Sequence, residues 1–207
     1  MIFRIRNSHF DLYYLYSNTN RNDLVKSLYL GYGEPTNNIL NYTSPAYKAF
    51  PVKYDLQEAK RLAKEVLGDK RYEITYCINS REPLQKGEAE LIAYWLKEIG
   101  LDVRIMSLEY ATLTKMMRKG ECDIVRLQRG LANGDPYALL YTFIMPDGSV
   151  NKSNSIGYNN SEIVRLMHQV KNITDEKERQ KIFLNCNKKL HTFKKSSCIN
   201  LIKLILE

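Results

Sequence analysis

Two arginines and a glycine-rich stretch are the part of this sequence best suited to bind a ligand. Arg126 and Arg129 lead into Gly130 and Gly134, and the stretch ends near Tyr137. Guanidinium groups bind carboxylates by charge-assisted hydrogen bonds, and glycines leave backbone polar groups accessible to a solute. The stretch therefore has groups that would suffice to hold a small polar ligand such as a peptide or a carboxylate. The residues predicted to contact it are Arg126, Arg129, Gly130, Leu131, Ala132, Asn133, Gly134, Asp135 and Tyr137.

Residue types that often act in catalysis stand here in settings that favour structural roles. Asp135 and Asp147 lie in Gly-Asp-Pro and Pro-Asp-Gly turns, where aspartate usually bonds to the backbone. The sequence has no glycine-rich phosphate loop ending in Lys-Ser/Thr, no Gly-x-Ser-x-Gly elbow and no His-Glu-x-x-His pattern. We therefore expect a protein that is not an enzyme, with no catalytic residues and no cofactor.

The four cysteines are widely spaced. Without a Cys-x-x-Cys pair, and with only three histidines, the sequence does not predict a metal site. Cys77 and Cys122 fall within strand-like stretches, where an unpaired cysteine usually behaves as a small buried hydrophobic residue. The pattern favours two buried thiols over a disulfide or a catalytic thiol, and it gives no reason to expect an oxidising compartment.

Charge and hydropathy exclude several classes of protein. The chain has 207 residues, 44% of them hydrophobic, with 31 Lys and Arg against 23 Asp and Glu. The net charge of +8 is spread along the chain, so solvated helix faces are favoured over a nucleic-acid surface. The sequence contains no run of about 18 apolar residues, so it predicts no membrane-spanning helix. Charged residues at positions 4 and 6 interrupt the apolar start that an export signal needs.

Hydrophobic periodicity over the middle of the chain predicts strand, helix, strand, helix, strand. The predicted elements are 73–79, 88–99, 101–108, 110–119 and 122–127. Helices of this length suit crossovers between parallel strands. The predicted fold is α/β, with a parallel or mixed sheet flanked by helices. The ligand stretch then follows the third strand, at the sheet edge where open α/β proteins bind ligands.

The remaining sequence divides into three regions. Residues 1–22 mix apolar and polar residues without a period, which predicts an irregular segment. Residues 23–195 are predicted to form a single α/β lobe. Within it, Asp55 is a predicted helix cap, with Glu58 at the capping-box spacing. Residues 196–207 form an apolar tail, which needs a partner surface or a sheet edge.

An ordered series of short motifs resembles the family 5 extracellular solute-binding proteins, which deliver oligopeptides, dipeptides or nickel complexes to ABC importers. The motifs occupy residues 23–35, 54–60, 96–103, 118–124, 133–136 and 157–163. The resemblance implies a periplasmic-binding-protein-like lobe from a two-lobed receptor that closes over its ligand. This chain is similar to the second lobe alone and is expected to be truncated.

The resemblance also carries expectations about partners and location. It implies ABC permease subunits as partners, and the expected truncation adds a separately encoded first lobe as a candidate partner. No nucleic-acid partner is expected. It implies the periplasm or the cell surface, whereas the chain without an export signal would stay in the cytoplasm as written.

One departure from the family pattern bears on the ligand. Where the resemblance implies an aspartate that receives a peptide's amino terminus, this sequence has Ala132. A nickel or other metal-chelate ligand is therefore an alternative, with Arg126 and Arg129 near the chelate. A second alternative is a non-functional remnant of such a receptor.

Overall fold

Helices and strands alternate through the described part of the chain. A computed structural model describes residues 2–3, 19–36, 38, 40, 44–50, 54–126, 136–153, 158–192, 200–201 and 203–205. The helices are α1 (Arg21–Leu28), α2 (Leu56–Leu67), α3 (Pro83–Lys97), α4 (Tyr110–Lys119), α5 (Pro136–Ile144), α6 (Ser149–Ser153), α7 (Ser161–Lys171) and α8 (Glu176–Thr192). The strands are β1 (Ile2–Phe3), β2 (Glu34–Thr36), β3 (Tyr72–Asn79), β4 (Leu101–Leu108), β5 (Ile124–Val125), β6 (Asn200–Leu201) and β7 (Lys203–Ile205).

The parallel unit predicted for the middle of the chain is confirmed. β3 and β4 pair in parallel along their full lengths, with α3 as the connection between them. β5 pairs in parallel with the other side of β3, with Cys77 opposite Val125. Since parallel strands end at the same sheet edge, β3 and β5 both finish where the sequence predicts the ligand stretch to begin.

Short segments from both ends of the chain make the sheet mixed. The strand order is β4-β3-β5-β1-β6, and β1 runs antiparallel to both of its neighbours. Ile2–Phe3 is thus a strand inside the region predicted to be irregular; residues 4–18 lie outside the described residues. The apolar tail also finds sheet edges within the chain, because β6 pairs with β1 and β7 pairs with β2.

Two predicted elements have clearly different bounds in the structure: α3 begins at Pro83 and ends at Lys97, against the predicted 88–99, and β5 is shorter than the predicted 122–127. α1 begins at Arg21, where the side chain of Asn20 caps it by accepting a hydrogen bond from the backbone N–H of Asp23. α5 is a helix of 9 residues. α6 is a short helix of 5 residues.

The helix cap predicted at Asp55 is confirmed. Oδ1 of Asp55 accepts a hydrogen bond from the backbone N–H of Glu58 at 3.0 Å, which satisfies a donor at the helix start. The carboxylate of Glu58 pairs with Arg61 one turn later. At the end of α4, Gly120 adopts a left-handed conformation with φ 69°, which glycine reaches without steric cost.

Apolar clusters cover both faces of the sheet and a separate group of helices. The larger cluster packs α1, α2 and α3 against the face that bears Tyr76, and the smaller one packs α4 against the face that bears Cys77. Adjacent residues of a strand point to opposite faces, so β3 supplies both clusters. A third cluster joins α5, α6, α7 and α8 around Phe143, Met167 and Phe183. Among the described residues, no helix is long and apolar enough to cross a membrane.

The prediction of two buried thiols at Cys77 and Cys122 is wrong. The two residues form a disulfide, with Cα atoms 5.8 Å apart. Pairing of β3 with β5 brings them together across a sequence separation of 45 residues, which local pattern does not reveal. Disulfides persist mainly in oxidising compartments. The bond is therefore a reason to expect such a compartment, which the sequence did not give. Cys186 is a buried free thiol.

Candidate ligand-binding site

The candidate site is the sheet edge at which the parallel strands β3 and β5 end. Asn79 is the last residue of β3, and Arg126 follows β5 directly. The backbone N–H of Asn79 donates to Oε1 of Gln85 on α3 at 2.9 Å. Gln85 is buried, so α3 fixes the end of β3 through a shielded hydrogen bond.

A buried ion pair attaches Arg126 to Glu88 of α3. The Nε atom of Arg126 lies 2.6 Å from Oε2 of Glu88, and the two side chains are 10% and 0% exposed. Burial lowers the pKa of Arg126, but Glu88 and neighbouring tyrosines raise it by more, so the guanidinium stays charged. A buried charge without a counter-charge is costly, and each partner therefore holds the other in place.

Tyr29 bridges the two charged groups. It lies directly after α1, and its hydroxyl donates to Oε1 of Glu88 and accepts from Nη2 of Arg126, the latter at 3.3 Å. Burial raises the pKa of Tyr29 to about 12, and the hydrogen bond to Glu88 contributes to the rise. The polar cluster of Tyr29, Glu88 and Arg126 thus joins the end of α1, the start of α3 and the end of β5.

Tyr76 of β3 completes the surroundings of this polar cluster. Its side chain is fully buried in the larger sheet cluster. Burial raises its pKa well above the ordinary value, and the charge of Glu88 adds to the rise. Tyr76 therefore keeps its proton at physiological pH.

A second set of contacts fixes the entry of β5. Oδ2 of Asp123 accepts from both the backbone N–H and the hydroxyl of Thr75, each at 2.7 Å. The Thr75 hydroxyl in turn accepts from the backbone N–H of Asp123 at 3.1 Å. With the adjacent disulfide of Cys122, these bonds tie β5 to β3 immediately before Arg126.

The predicted ligand residues divide into described and undescribed ones. Arg126 lies in the polar cluster. Tyr137 lies in α5, half-buried, with its ring 5.6 Å from that of Tyr141. The other predicted contacts lie outside the described residues: Arg129, Gly130, Leu131, Ala132, Asn133, Gly134 and Asp135. In the ranges that are described, no group of three or more His, Cys, Asp or Glu residues could hold a metal ion.

Sequence reasoning missed Glu88 and Tyr29. Glu88 lies one helical turn before Ile92 and two turns before Leu96, both on the buried face of α3. A carboxylate on an apolar stripe needs a partner, and this signal was available in the sequence. Tyr29 offered no comparable signal, because its partners lie 59 and 97 residues away.

A shallow cleft at the opposite, amino-terminal edge of the sheet has a structural explanation. It measures about 220 Å³ and lies between the ends of α2 and α3, next to Lys60, Lys64 and Lys70. Helix carboxyl termini carry partial negative charge, which lysines near the last turn offset. Arg71 at the cleft is paired with Asp102 at 2.5 Å.

Sequence comparisons place the chain among known transport proteins. The family described as bacterial extracellular solute-binding proteins, family 5 middle, matches residues 17–151, more than half of the chain. Heme-binding protein A of Haemophilus influenzae is 28% identical over 169 residues, which cover 77% of this chain and 30% of the relative. The periplasmic oligopeptide-binding protein OppA of Escherichia coli is 23% identical over 162 residues, covering 77% and 29%. The chain thus spans about a third or less of the length of these relatives.

Solved structures share the fold. HbpA2 from Haemophilus parasuis has a TM-score of 0.84 at 19% identity, covering 98% of this chain and 41% of that protein. NikA from Staphylococcus aureus, in complex with Ni(L-His)2, has a TM-score of 0.81 at 20% identity, covering 96% and 43%. These likenesses show the α/β architecture of a solute-binding lobe. Together with the family match, they establish that this chain belongs to the family 5 bacterial extracellular solute-binding proteins.

Proposed function

We propose that this chain is a substrate-binding part of an ABC importer and binds short peptides or similar small polar solutes. The family consists of extracellular solute-binding proteins, which supports binding rather than catalysis. The relative OppA is named for oligopeptides and a second relative for heme, so the ligand class varies among similar proteins. The polar character of the residues predicted to contact ligand favours a peptide.

The observation that carries the proposal is the position of Arg126. It stands at the carboxyl end of β5, held by α3, where ligands of open α/β sheets bind. The stretch that follows contains Asn133, Gly130 and Gly134, whose amide groups can satisfy the polar backbone of a peptide. Hydrogen bonds of this kind suit a receptor that must release its ligand unchanged.

The Cys77–Cys122 disulfide supports a place of action outside the reducing cytoplasm. Disulfides persist in the periplasm and at cell surfaces, and family members are extracellular. We place the chain in the periplasm or at the cell surface, where it hands the solute to ABC permease subunits. In a two-lobed receptor, a first lobe would cover the other side of the ligand.

Thermal unfolding with a ligand panel tests this proposal. The chain is melted alone and with trialanine, tetraalanine, Ni(II)–histidine and heme, because a ligand that binds only the folded state raises the midpoint. We expect a peptide to raise it. A rise with Ni(II)–histidine or heme alone would reassign the ligand class, and a cooperative melt with no shift from any probe would contradict the proposal.

Two matched variants locate the effect. Asn133→Ala removes an amide of the predicted ligand stretch and is expected to abolish most of the peptide-induced shift. Asn159→Ala removes an exposed amide in a different part of the chain and should leave the shift intact. Equal loss in both variants would place peptide binding elsewhere on the protein.

A further inference from the structure

The ion pair at the candidate site alters the charge that a ligand meets. An arginine beside a binding stretch ordinarily offers a positive charge to a carboxylate. Here the Nε atom of Arg126 lies 2.6 Å from the carboxylate of Glu88, which is fully buried. The pair has no net charge, so Arg126 is neutralised before any ligand arrives.

Tyr29 strengthens this internal arrangement. It accepts from Nη2 of Arg126 at 3.3 Å and donates to the other carboxylate oxygen of Glu88. Two guanidinium nitrogens therefore have partners inside the lobe. A ligand carboxylate that captured Arg126 would leave Glu88 charged, buried and without its cation, which is strongly unfavourable.

We infer that Glu88 is a specificity-determining residue, which keeps Arg126 in an internal ion pair and so removes a preference for anionic ligands at this edge. The inference rests on the proposed peptide ligand and narrows it. Peptides whose carboxyl terminus is blocked should bind this lobe as well as free acids. Recognition then depends on uncharged hydrogen bonds and shape.

Calorimetric titration with a peptide as free acid and as carboxyl-terminal amide tests the inference. In the wild type we expect the two affinities to agree within about twofold. Glu88→Gln removes the internal counter-charge, so the free acid should gain about fivefold or more over the amide. Glu88→Gln/Arg126→Gln should lose that gain. Asp102→Asn, which breaks the exposed Arg71–Asp102 pair at the other sheet edge, is the matched control.

Several results would overturn the inference. One is a wild-type preference for the free acid that disappears in Arg126→Gln, because Arg126 would then be an anion contact. Another is a ratio of free-acid affinity to amide affinity in folded Glu88→Gln that equals the wild-type ratio. If Glu88→Gln does not fold, the double variant decides: a ratio equal to the wild type supports the inference, and a lower preference for the free acid contradicts it.

A different readout applies if the wild type binds no peptide, which would refute the proposed function. In Glu88→Ala, acetate can occupy the space of the missing carboxylate and pair with Arg126. We expect sodium acetate to raise the melting midpoint of Glu88→Ala above its value in sodium chloride at equal ionic strength, with no such difference for the wild type or for Glu88→Ala/Arg126→Ala. Absence of this rescue would show that Glu88 does not neutralise Arg126.

Discussion

Cys77 and Cys122 are joined by a disulfide that links β3 to the residues entering β5, with Cα atoms 5.8 Å apart. β5 has only two residues in regular pairing, so few backbone hydrogen bonds hold it to β3. The covalent link and the Thr75–Asp123 hydrogen bonds compensate for this short ladder. The position of Arg126, directly after β5, depends on both.

Replacing the disulfide should destabilise the chain substantially. A loop of this length, closed across 45 residues, gives a chain-entropy contribution of about 3 to 4 kcal/mol. Cys77→Ala/Cys122→Ala is therefore expected to lose roughly that free energy of unfolding in urea. Reductant should lower the stability of the wild type towards that of the variant and leave the variant unchanged. Alkylation of all four cysteines in unreduced, denatured protein would contradict the disulfide.

The contrast between Asp55 and Glu88 shows how far sequence predicts this structure. Asp55 acts within one helical turn, and its cap is confirmed because both donor and acceptor lie in the same local pattern. The βαβαβ order is likewise carried by short-range periodicity. The role of Glu88, by contrast, depends on its contacts with Tyr29 and Arg126, which the fold brings to it from distant parts of the chain.

The same distinction explains the remaining differences. The disulfide and the pairing of β6 with β1 each join segments that are distant in the sequence. The local sequence pattern of one segment does not predict which other segment it contacts. The apolar composition of the tail predicts that it needs a partner surface or a sheet edge, but it does not predict which strand the tail pairs with. The partner strand is a property of the whole fold. The ligand contacts at Arg126, residues 129–135 and Tyr137 all remain predictions.

Gly148 should tolerate no side chain. A Cβ atom there would lie 2.2 Å from the carbonyl oxygen of Tyr141 and 2.7 Å from that of Thr142, both rigid backbone atoms. Gly148→Ala is expected to cost about 2 kcal/mol or more in urea unfolding. Gly87→Ala in α3 is the control, because its Cβ would meet only the flexible side chain of Leu28, at 3.1 Å, and alanine favours a helix interior over glycine by about 1 kcal/mol. Equal costs would contradict the close packing at Gly148.

Cys186 should be unreactive towards thiol reagents in the folded protein. Its side chain is fully buried, and burial raises the pKa of the thiol to about 12. The reactive thiolate is therefore both scarce and inaccessible. In a Cys198→Ser background, we expect a chromogenic disulfide reagent at pH 8 to label Cys186 only as fast as the chain unfolds. Rapid labelling without denaturant, at a rate independent of stability, would show that the thiol is accessible in the native state.

Tyr29 should make stability sensitive to alkaline pH. Its pKa is about 12 in the folded protein against 10.0 ordinarily, so between these values the unfolded chain loses the phenolic proton while the folded chain keeps it. Folding then becomes less favourable as pH rises from 10 towards 12, and full stability is present below 10. Tyr29→Phe removes this contribution, and its free energy of unfolding should fall less over the same interval, by up to about 2 kcal/mol. Tyr94→Phe, at a tyrosine that is 63% exposed, is the matched control for removal of a phenolic hydroxyl. Parallel curves for wild type and Tyr29→Phe would mean that Tyr29 titrates alike in both states and is not enclosed with Glu88.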